Sequence, residues 1–435
     1  MDETPNWNLL YHLSKRATSS LQALRGTGIR VLAENVFSLS VLQAVTYLIP
    51  LITLPYLVRV LGVEKYGLVA FAQAVIQYFI ILSDYGFNLS AALNIASNRH
   101  DLTKVSQTFS AVMLIRLTLM VAVFGILYLL VVTIGRFAED PLIFLLSYGL
   151  VLGNVLFPFW FYQGMEMMKY FAVLTLVARC IFLALIFVFI RSEEDYLLVP
   201  VLHSLGFIVA GVISLWLAVK RFHVKICWPG MGVIRDRFRS SFQFFLSTLS
   251  SSISSSLNTF ILGFLMSNRI VGYYAAAERL FIALRALFYP LVQALYPYMA
   301  NRKNVYLFKR IFYLALSGAI VIAAGVFMFS EPITSLIFGS GFETSAKILR
   351  LFALIVPIAA ASLLLSYPLL AALGYERYAN YSNAVGSLFH IFLVALFIPA
   401  LNPNRIVLIL MAMETLVLGT RVYGIIKHKL WQAGV

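Results

Sequence analysis

The chain has 435 residues, of which 61% are hydrophobic and only 12% are charged. A soluble globular domain carries about twice that charged fraction, so this composition excludes one and indicates an integral membrane protein. The formal net charge of +15 would suit a nucleic-acid-binding protein, but the basic residues fall mainly in alternate loops, so nucleic acid is not an expected partner.

The first 34 residues form a segment of their own. Basic and apolar residues are spread along WNLLYHLSKRATSSLQALRGTGIRVL without a separate apolar core, which excludes a secretory signal peptide. The pattern predicts a cytoplasmic helix that lies in the membrane interface, with a disordered tail as the alternative.

Twelve apolar runs follow, each near the ~20 residues that an α-helix needs to cross a bilayer. Their continuous hydrophobicity does not fit the short alternating strands of a membrane β-barrel. The predicted fold is therefore an all-α integral membrane protein with about 12 transmembrane helices. The runs cover approximately residues 35–60, 66–95, 107–133, 141–163, 171–190, 196–219, 241–266, 270–299, 306–329, 346–373, 378–400 and 405–426.

The distribution of Lys and Arg predicts the orientation of these helices. Most of the 33 basic residues lie in the two tails and in the even-numbered connections. Because basic loops stay on the cytoplasmic side, we expect both termini in the cytoplasm. The acidic lipids of the inner leaflet are then the expected electrostatic partner of the basic residues. The longest basic connection divides the runs six and six. The predicted organisation is an N-terminal segment (1–34), an N-lobe (35–219), a linker (220–241), a C-lobe (242–427) and a cytoplasmic tail (428–435).

The second run carries a polar face. At about 100° per residue, Gln73, Asp84 and Asn88 lie on one side of this helix. A weak internal repeat with an offset of 205 residues relates Gly67 in this run to Gly272 in the eighth run. Such a repeat is typical of secondary transporters, whose binding site lies between the two halves.

The eighth run repeats the polar face with charged groups in it. Its polar stripe comprises Glu278, Arg285, Tyr289 and Gln293, with Arg279 about a quarter turn to the side. An ionisable side chain near the bilayer centre costs roughly 2.5 to 3.5 kcal/mol, so it faces protein or a wet cavity. Polar stripes can also serve only to hold helices together.

Four arginines inside predicted spans are candidate site residues: Arg116, Arg179, Arg279 and Arg285. Guanidinium groups form paired hydrogen bonds with phosphate oxygens, which favours an anionic substrate. For Arg116 and Arg179, an internal salt bridge or snorkelling to the cytoplasmic side is an equally good interpretation. Asp84 and Glu278 are candidate neutralising partners for these arginines.

Catalytic and metal-binding motifs are missing from the sequence. It contains no G-x-x-x-x-G-K-[ST], which excludes a P-loop ATPase, and no connection longer than about twenty residues that could hold a catalytic domain. Cys180 and Cys227 form neither a disulfide framework nor a metal cluster. We therefore predict a non-enzyme without cofactor or metal.

Three passages resemble a known family. LPYLVRVLGVEKYGLVAFAQAVIQYFIILSDYGFNLSAALNIA (54–96), FPFWFYQGMEMMKYFAVLTLVAR (157–179) and EPITSLIFGSGFETSAKILRLFALIVP (331–357) are similar to polysaccharide transporters of the MOP superfamily, and more narrowly to O-antigen repeat-unit flippases of the Wzx type. The resemblance implies two pseudo-symmetric six-helix bundles that form a V-shaped central cavity. The implied cargo is an oligosaccharide repeat unit on undecaprenyl diphosphate, moved from the inner to the outer leaflet of the bacterial inner membrane.

The resemblance also implies a site. In the family, cationic residues of the first, second and eighth helices line the cavity, and Arg279 and Arg285 match that role in the eighth helix. Arg59 and Lys65 lie at the predicted outer boundary, so the N-lobe cation would come from Arg116 or Arg179. The surface made by Gln73, Asp84, Asn88, Tyr289 and Gln293 would suit sugar hydroxyls.

The protein also has candidate partners and two alternative functions. The resemblance implies a polysaccharide polymerase and a chain-length regulator as candidate partners, and Asp84 or Glu278 permits H⁺ or Na⁺ as a coupling ion. One alternative is a multidrug or cation antiporter of the same superfamily, which should have a net acidic cavity. Another is a polysaccharide polymerase or ligase, which usually needs a long extracytoplasmic loop.

Overall fold

A computed structural model describes residues 49–432, except for the side chains of residues 250–255. Within this range the chain forms helices and turns and no β-strand, which confirms the all-α class. The interfacial helix predicted for residues 1–34 and the last three residues of the tail lie outside the described range.

Seventeen α-helices follow one another in the described part of the chain. They are α1 (49–84), α2 (Phe87–Asn98), α3 (Leu102–Thr133), α4 (Gly135–Ala138), α5 (Pro141–Ser147), α6 (Gly149–Leu156), α7 (Phe159–Gly164), α8 (Met168–Phe189), α9 (Leu198–Lys220), α10 (Met231–Leu265), α11 (Asn268–Ala286), α12 (Tyr289–Arg302), α13 (Val305–Met328), α14 (Ser330–Phe338), α15 (Glu343–Leu365), α16 (Glu376–Phe397) and α17 (Pro403–Lys427). A π-helical turn, Ser366–Ala371, extends α15.

Ten helical segments of the described chain are long and apolar enough to cross a membrane. The first, Ile49–Asn98, contains two predicted runs. Gly62 has a left-handed φ of 69°, and residues on both sides of it, such as Leu54 and Gln77, line one cavity, so the segment does not run as one straight helix. The seventh predicted run lies in α10. The described parts of all twelve runs thus correspond to helices; residues 35–48 of the first run lie outside the described range.

The outer surface of these helices is apolar. Val121, Val321 and Leu388 are 68%, 70% and 69% exposed. A water-soluble protein rarely exposes so much apolar surface, whereas in a bilayer these side chains contact acyl chains. Together with the ten spans, this surface makes the chain a multi-pass membrane protein.

Polar side chains mark where helices begin. Asp101 accepts hydrogen bonds from the backbone N–H groups of Thr103 and Lys104 at the start of α3, both at 3.1 Å. Asn402 accepts one from Arg405 N–H at 2.9 Å at the start of α17, where Pro403 occupies the first turn. Such caps satisfy backbone donors that have no partner inside the helix.

Most of the larger helix contacts lie within one half of the chain. In the first half, α9 packs against α6 and α8, and in the second half α15 packs against α11, α13 and α17. The helix α10 contacts α2 and α3 as well as α11 and α16, so it touches both halves. It begins at Met231, so the second part of the predicted linker (220–241) is helical.

Gly67 and Gly272, the pair related by the repeat offset, bring α1 and α11 together. A Cβ atom added to Gly67 would lie 1.8 Å from the carbonyl oxygen of Asn268, and one added to Gly272 would lie 2.0 Å from that of Val63. Only glycine permits so close an approach of two backbones. The repeat therefore supplies a crossing point between its two copies.

Replacing Gly67 with alanine should separate these helices. The new methyl group would overlap a backbone carbonyl, and such overpacking typically costs about 1 to 3 kcal/mol. We expect a lower melting temperature of the purified protein in detergent. The matched control is Gly125→Ala in α3, where an added Cβ meets no atom within 4 Å. A melting temperature for Gly67→Ala equal to that of the control would contradict the close crossing.

Candidate functional site

The main cavity has a volume of about 490 Å³ and lies between helices of the two halves. The first half contributes residues of α1, α6, α8 and α9, and the second half contributes residues of α10 and α11. Its larger polar side chains are Tyr66, Gln73, Gln77, Asn154, Arg179, His203, Glu278 and Arg279. The cavity thus adjoins α1 and α11, the helices that carry the two copies of the repeat.

Arg279 presents a cation to this cavity. Its side chain is exposed, and the hydroxyl of Tyr66 forms a hydrogen bond with it. The neighbouring Glu278 interacts electrostatically with Arg279. The Glu278 carboxylate also accepts hydrogen bonds from the hydroxyls of Thr259, at 2.7 Å, and Tyr274, at 3.0 Å. Neutral donors therefore hold Glu278, while Arg279 keeps N–H groups directed to the cavity.

Arg179 is the second cation of the main cavity. It projects from α8 in the first half, opposite α11, and its Nε atom is buried without a hydrogen-bond partner. Among the described residues, no carboxylate pairs with it. The internal salt bridge considered for Arg179 is therefore not formed within the described chain.

Arg116 is enclosed in the protein, where it is 1% exposed. Its Nη2 atom lies 3.4 Å from Oδ1 of Asp84 and donates to the side-chain and backbone oxygens of Asn154 at 2.8 and 3.1 Å. For Arg116 and Asp84 the structure thus contains the internal salt bridge that the sequence left as an alternative. Asn154, which lines the main cavity, separates this pair from the ligand space.

Arg285 lies away from the main cavity. Its Nη1 atom forms an ion pair of 3.1 Å with Oε1 of Glu414 in α17, and its side chain is 32% exposed. The eighth run is interrupted by a turn at Leu287 and Phe288, so the predicted stripe does not continue along one straight helix.

Of the other predicted polar residues, some line the main cavity and some do not. Gln73 lines the main cavity, and Asn88 lines a smaller one beside it. Tyr289 and Gln293 belong to α12 and do not line the main cavity. The structure therefore brings Arg279 and Glu278 together with Gln73, and the substrate-binding roles of all these residues stay predictions.

Two functional candidates escaped the sequence analysis. Asn154 lines both cavities and holds Arg116. Arg421 is buried in α17, where it donates to Ser362 Oγ at 2.7 Å and to Asn383 Oδ1 at 2.7 Å. The sequence did contain a signal for Arg421. It lies seven residues after Glu414 in the twelfth run, which places the two charged side chains on the same face of one helix.

Arginines of the first half bind carbonyl groups of the second half at one end of the helices. Arg136 donates to the carbonyl oxygens of Gly263, at 2.7 Å, and Met266, at 3.2 Å, in the last turn of α10. Arg59 donates to the carbonyl oxygens of Leu336 and Ile337 at the end of α14. Helix C-termini carry unpaired carbonyls and partial negative charge, which cations stabilise. These contacts join the two halves on the predicted extracytoplasmic side, and we call this the closed end.

Replacing Arg136 with alanine should open this end more often. Losing hydrogen bonds to a charged group costs about 1.5 to 3 kcal/mol, which raises the open population roughly tenfold or more. We expect faster labelling by an impermeant maleimide of a cysteine introduced as Ala275→Cys, a buried position on the cavity wall. The exposed native cysteines, Cys180 and Cys227, are first replaced with serine.

Arg191→Ala is the matched control for this experiment. Arg191 is exposed and belongs to the predicted extracytoplasmic side, but its Nε donates only to Val188 O in its own segment. Labelling in this variant should equal that of the parent. The same labelling rate in the Arg136→Ala protein as in the control would show that Arg136 does not hold this end closed.

Comparison with known proteins places the chain in a family. A family model described as "Polysaccharide biosynthesis protein" matches residues 32–303. A relative from Escherichia coli (strain K12), named "Putative O-antigen transporter", is 32% identical over 270 residues, which cover 62% of this chain and 65% of that relative. The match thus spans slightly less than two thirds of its length. A relative of the same name from Shigella dysenteriae is 26% identical over 366 residues, 82% of this chain and 91% of that protein.

Solved structures share the architecture. The lipid II flippase MurJ in its inward closed conformation has a TM-score of 0.71 and 16% identity, with 91% of this chain and 87% of that chain covered. An inward-facing multidrug resistance MATE family transporter of the MOP superfamily has a TM-score of 0.65 and 15% identity, with coverage of 88% and 96%. These likenesses confirm the predicted fold. The chain shares the fold of these two solved structures, and since the family model matches more than half of its residues, it belongs to the polysaccharide biosynthesis protein family.

Proposed function

We propose that this protein is a flippase for lipid-linked oligosaccharides. Its cargo would be an O-antigen repeat unit on undecaprenyl diphosphate, moved by alternating access from the inner to the outer leaflet of the bacterial inner membrane. The observation that carries this proposal is the main cavity, where Arg179 and Arg279 from opposite halves face one space beside neutral amides. The names of the curated relatives support it.

The two arginines suit a diphosphate. Guanidinium groups bind phosphate oxygens through paired, charge-assisted hydrogen bonds, and they stay charged in a partly dry cavity. Arg179 lies on α8 and Arg279 on α11, so a bound diphosphate would contact both halves at once. A substrate that contacts both halves is affected when the halves move relative to each other.

The amides of the main cavity suit the saccharide. Gln73, Gln77 and Asn154 each offer two N–H donors and a carbonyl acceptor. Sugar hydroxyls donate and accept hydrogen bonds, so amides can replace the water that a sugar loses on entering. Placing the amides beside the arginines matches a cargo whose sugar is joined directly to its diphosphate.

The closed end supports alternating access. The Gly67–Gly272 crossing and the capping arginine Arg136 join the halves on the predicted extracytoplasmic side. Transport would require these contacts to separate. In this conformation Arg285 pairs with Glu414, so its predicted contact with the diphosphate requires that pair to separate as well.

Membrane voltage is the proposed driving force. Export of negative charge from a cell with a negative interior is favoured by roughly 2.3 kcal/mol per charge per 100 mV. Coupling to H⁺ or Na⁺ through Asp84 or Glu278 is the competing mechanism. Asp84 is paired with Arg116, and Glu278 accepts two hydrogen bonds, so an ion would have to displace these partners. A polymerase and a chain-length regulator, which would act on the exported unit, are proposed partners.

Two other functions fit the cavity less well. A binding site for cationic drugs should be net acidic, whereas the two arginines face the main cavity with one carboxylate, that of Glu278. A polymerase or ligase usually needs a large extramembrane loop. Among the described helices, the connection between α9 and α10 covers only residues 221–230. We therefore propose transport without covalent chemistry.

Reconstituted vesicles test the proposal. Liposomes containing the purified protein and undecaprenyl-diphosphate-linked oligosaccharide are given an imposed voltage, pH gradient or Na⁺ gradient, and an impermeant glycosidase reports sugar that reaches the outside. We expect voltage-dependent exposure of sugar that is absent from protein-free liposomes. Movement of a cationic dye without movement of sugar would indicate the antiporter instead.

A further inference from the structure

A second cavity of about 240 Å³ lies beside the main one, and we call it the side cavity. It shares Asn154, Arg179 and Phe207 with the main cavity. Because three side chains border both spaces, a ligand held by Arg179 can extend from one into the other. The residues that border the side cavity alone include Asn88 and Thr175.

Aromatic rings form much of the wall of the side cavity. Phe157 and Phe171 stack with their ring centroids 4.9 Å apart and an interplanar angle of 24°. Phe159 meets Phe171 edge-on at 4.6 Å. These rings, with Phe207, present flat apolar faces in fixed orientations.

Polar groups without partners point to a ligand in this space. Oδ1 of Asn88, Oγ1 of Thr175 and Nε of Arg179 are all buried, and none has a hydrogen-bond partner. Buried polar atoms are nearly always paired in proteins, because an unpaired one has lost its water without compensation. Here an acceptor, a hydroxyl and a charged donor border one small cavity.

We propose that the side cavity is a carbohydrate subsite that holds one sugar ring of the cargo while Arg179 contacts the diphosphate. The inference rests on the proposed flippase function. A sugar ring has an apolar face of C–H groups, which packs on aromatic rings, and a rim of hydroxyls, which would satisfy Asn88 and Thr175. The volume equals that of roughly eight water molecules at about 30 Å³ each, which is room for one sugar ring.

The chemistry of the wall distinguishes the sugar from the lipid chain. A polyprenyl chain would fill the same space but would leave the buried atoms of Asn88 and Thr175 unpaired. A site built to hydrogen-bond a hydroxyl also discriminates against ligands that lack it. The side cavity would therefore contribute to the choice of repeat unit.

Binding of two probes to the purified full-length protein tests the subsite. One probe is undecaprenyl-diphosphate-linked oligosaccharide, and the other is undecaprenyl diphosphate without sugar. Thr175→Val removes one hydroxyl at nearly constant volume, and loss of one hydrogen bond should weaken binding of the sugar-bearing probe by about tenfold. The sugar-free probe should bind as it does to the parent. Phe171→Leu removes a stacking face and should act in the same direction.

Thr334→Val in α14 is the matched control. Thr334 is as buried as Thr175, but its hydroxyl donates to Ser330 O at 2.9 Å within its own helix, away from both cavities. Binding of both probes should be unchanged in this variant.

Three results would overturn the subsite. In the first, Thr175→Val and Phe171→Leu leave binding of the sugar-bearing probe unchanged. In the second, they weaken binding of both probes equally. In the third, the unmodified protein binds neither probe, which would overturn the proposed flippase function together with the subsite.

Discussion

Arg279→Ala should abolish transport of lipid-linked sugar while leaving the protein folded. Arg279 is exposed to the main cavity, and its half-buried neighbour Glu278 accepts hydrogen bonds from Thr259 and Tyr274, so truncation of Arg279 leaves that carboxylate paired. Loss of hydrogen bonds to a charged group costs about 1.5 to 3 kcal/mol, which corresponds to roughly 10- to 100-fold weaker binding of the diphosphate. Vesicle transport and probe binding both measure this effect.

The lysine variant refines the same prediction. Arg279→Lys keeps the charge but loses the planar fork that binds two phosphate oxygens, so we expect activity between those of the alanine variant and the parent. Arg269→Ala is the matched control, because Arg269 is exposed on the same helix but does not line the main cavity. Normal transport by Arg279→Ala at normal expression would remove Arg279 from the site.

Asp84→Ala should destabilise the protein more than any surface change. Asp84 and Arg116 are 5% and 1% exposed and pair at 3.4 Å, so removing the carboxylate leaves a buried guanidinium with an uncompensated charge. Breaking a buried pair in this way costs about 3 to 5 kcal/mol. We expect a large fall in the melting temperature in detergent and a low yield of monodisperse protein.

A double replacement separates stability from transport at this pair. Asp84→Leu with Arg116→Met removes both charges, and apolar replacement of a buried pair is often neutral or stabilising, so the melting temperature should recover. The control is Glu331→Ala, which breaks the exposed pair with Arg350 at 2.9 Å and should cost about 0 to 1 kcal/mol. A melting temperature equally low in the single and double variants would contradict the charge argument.

If the double variant is stable, its transport activity shows whether Arg116 has a role in transport. Normal transport would make the buried pair purely structural. Loss of transport in a stable protein would show that Arg116 acts on the site, and Asn154 is the contact through which it would do so.

The membrane helices and the repeat could be read from the sequence because both depend on local chemistry. An apolar run near 20 residues is stable only where its backbone hydrogen bonds are satisfied within one helix, so its length and composition identify it. The offset between Gly67 and Gly272 was likewise visible in the sequence. That the two glycines touch each other required the tertiary structure.

What only the tertiary structure decided is which charges face the cavity. Arg279 and Arg285 are six residues apart on α11, on different sides of the helix, and both were candidates for the site, yet only Arg279 lines the main cavity. Arg285 instead pairs with Glu414, a residue of the distant helix α17. A buried charge takes the best partner that the fold brings within reach, and that partner is set by packing between helices distant in sequence.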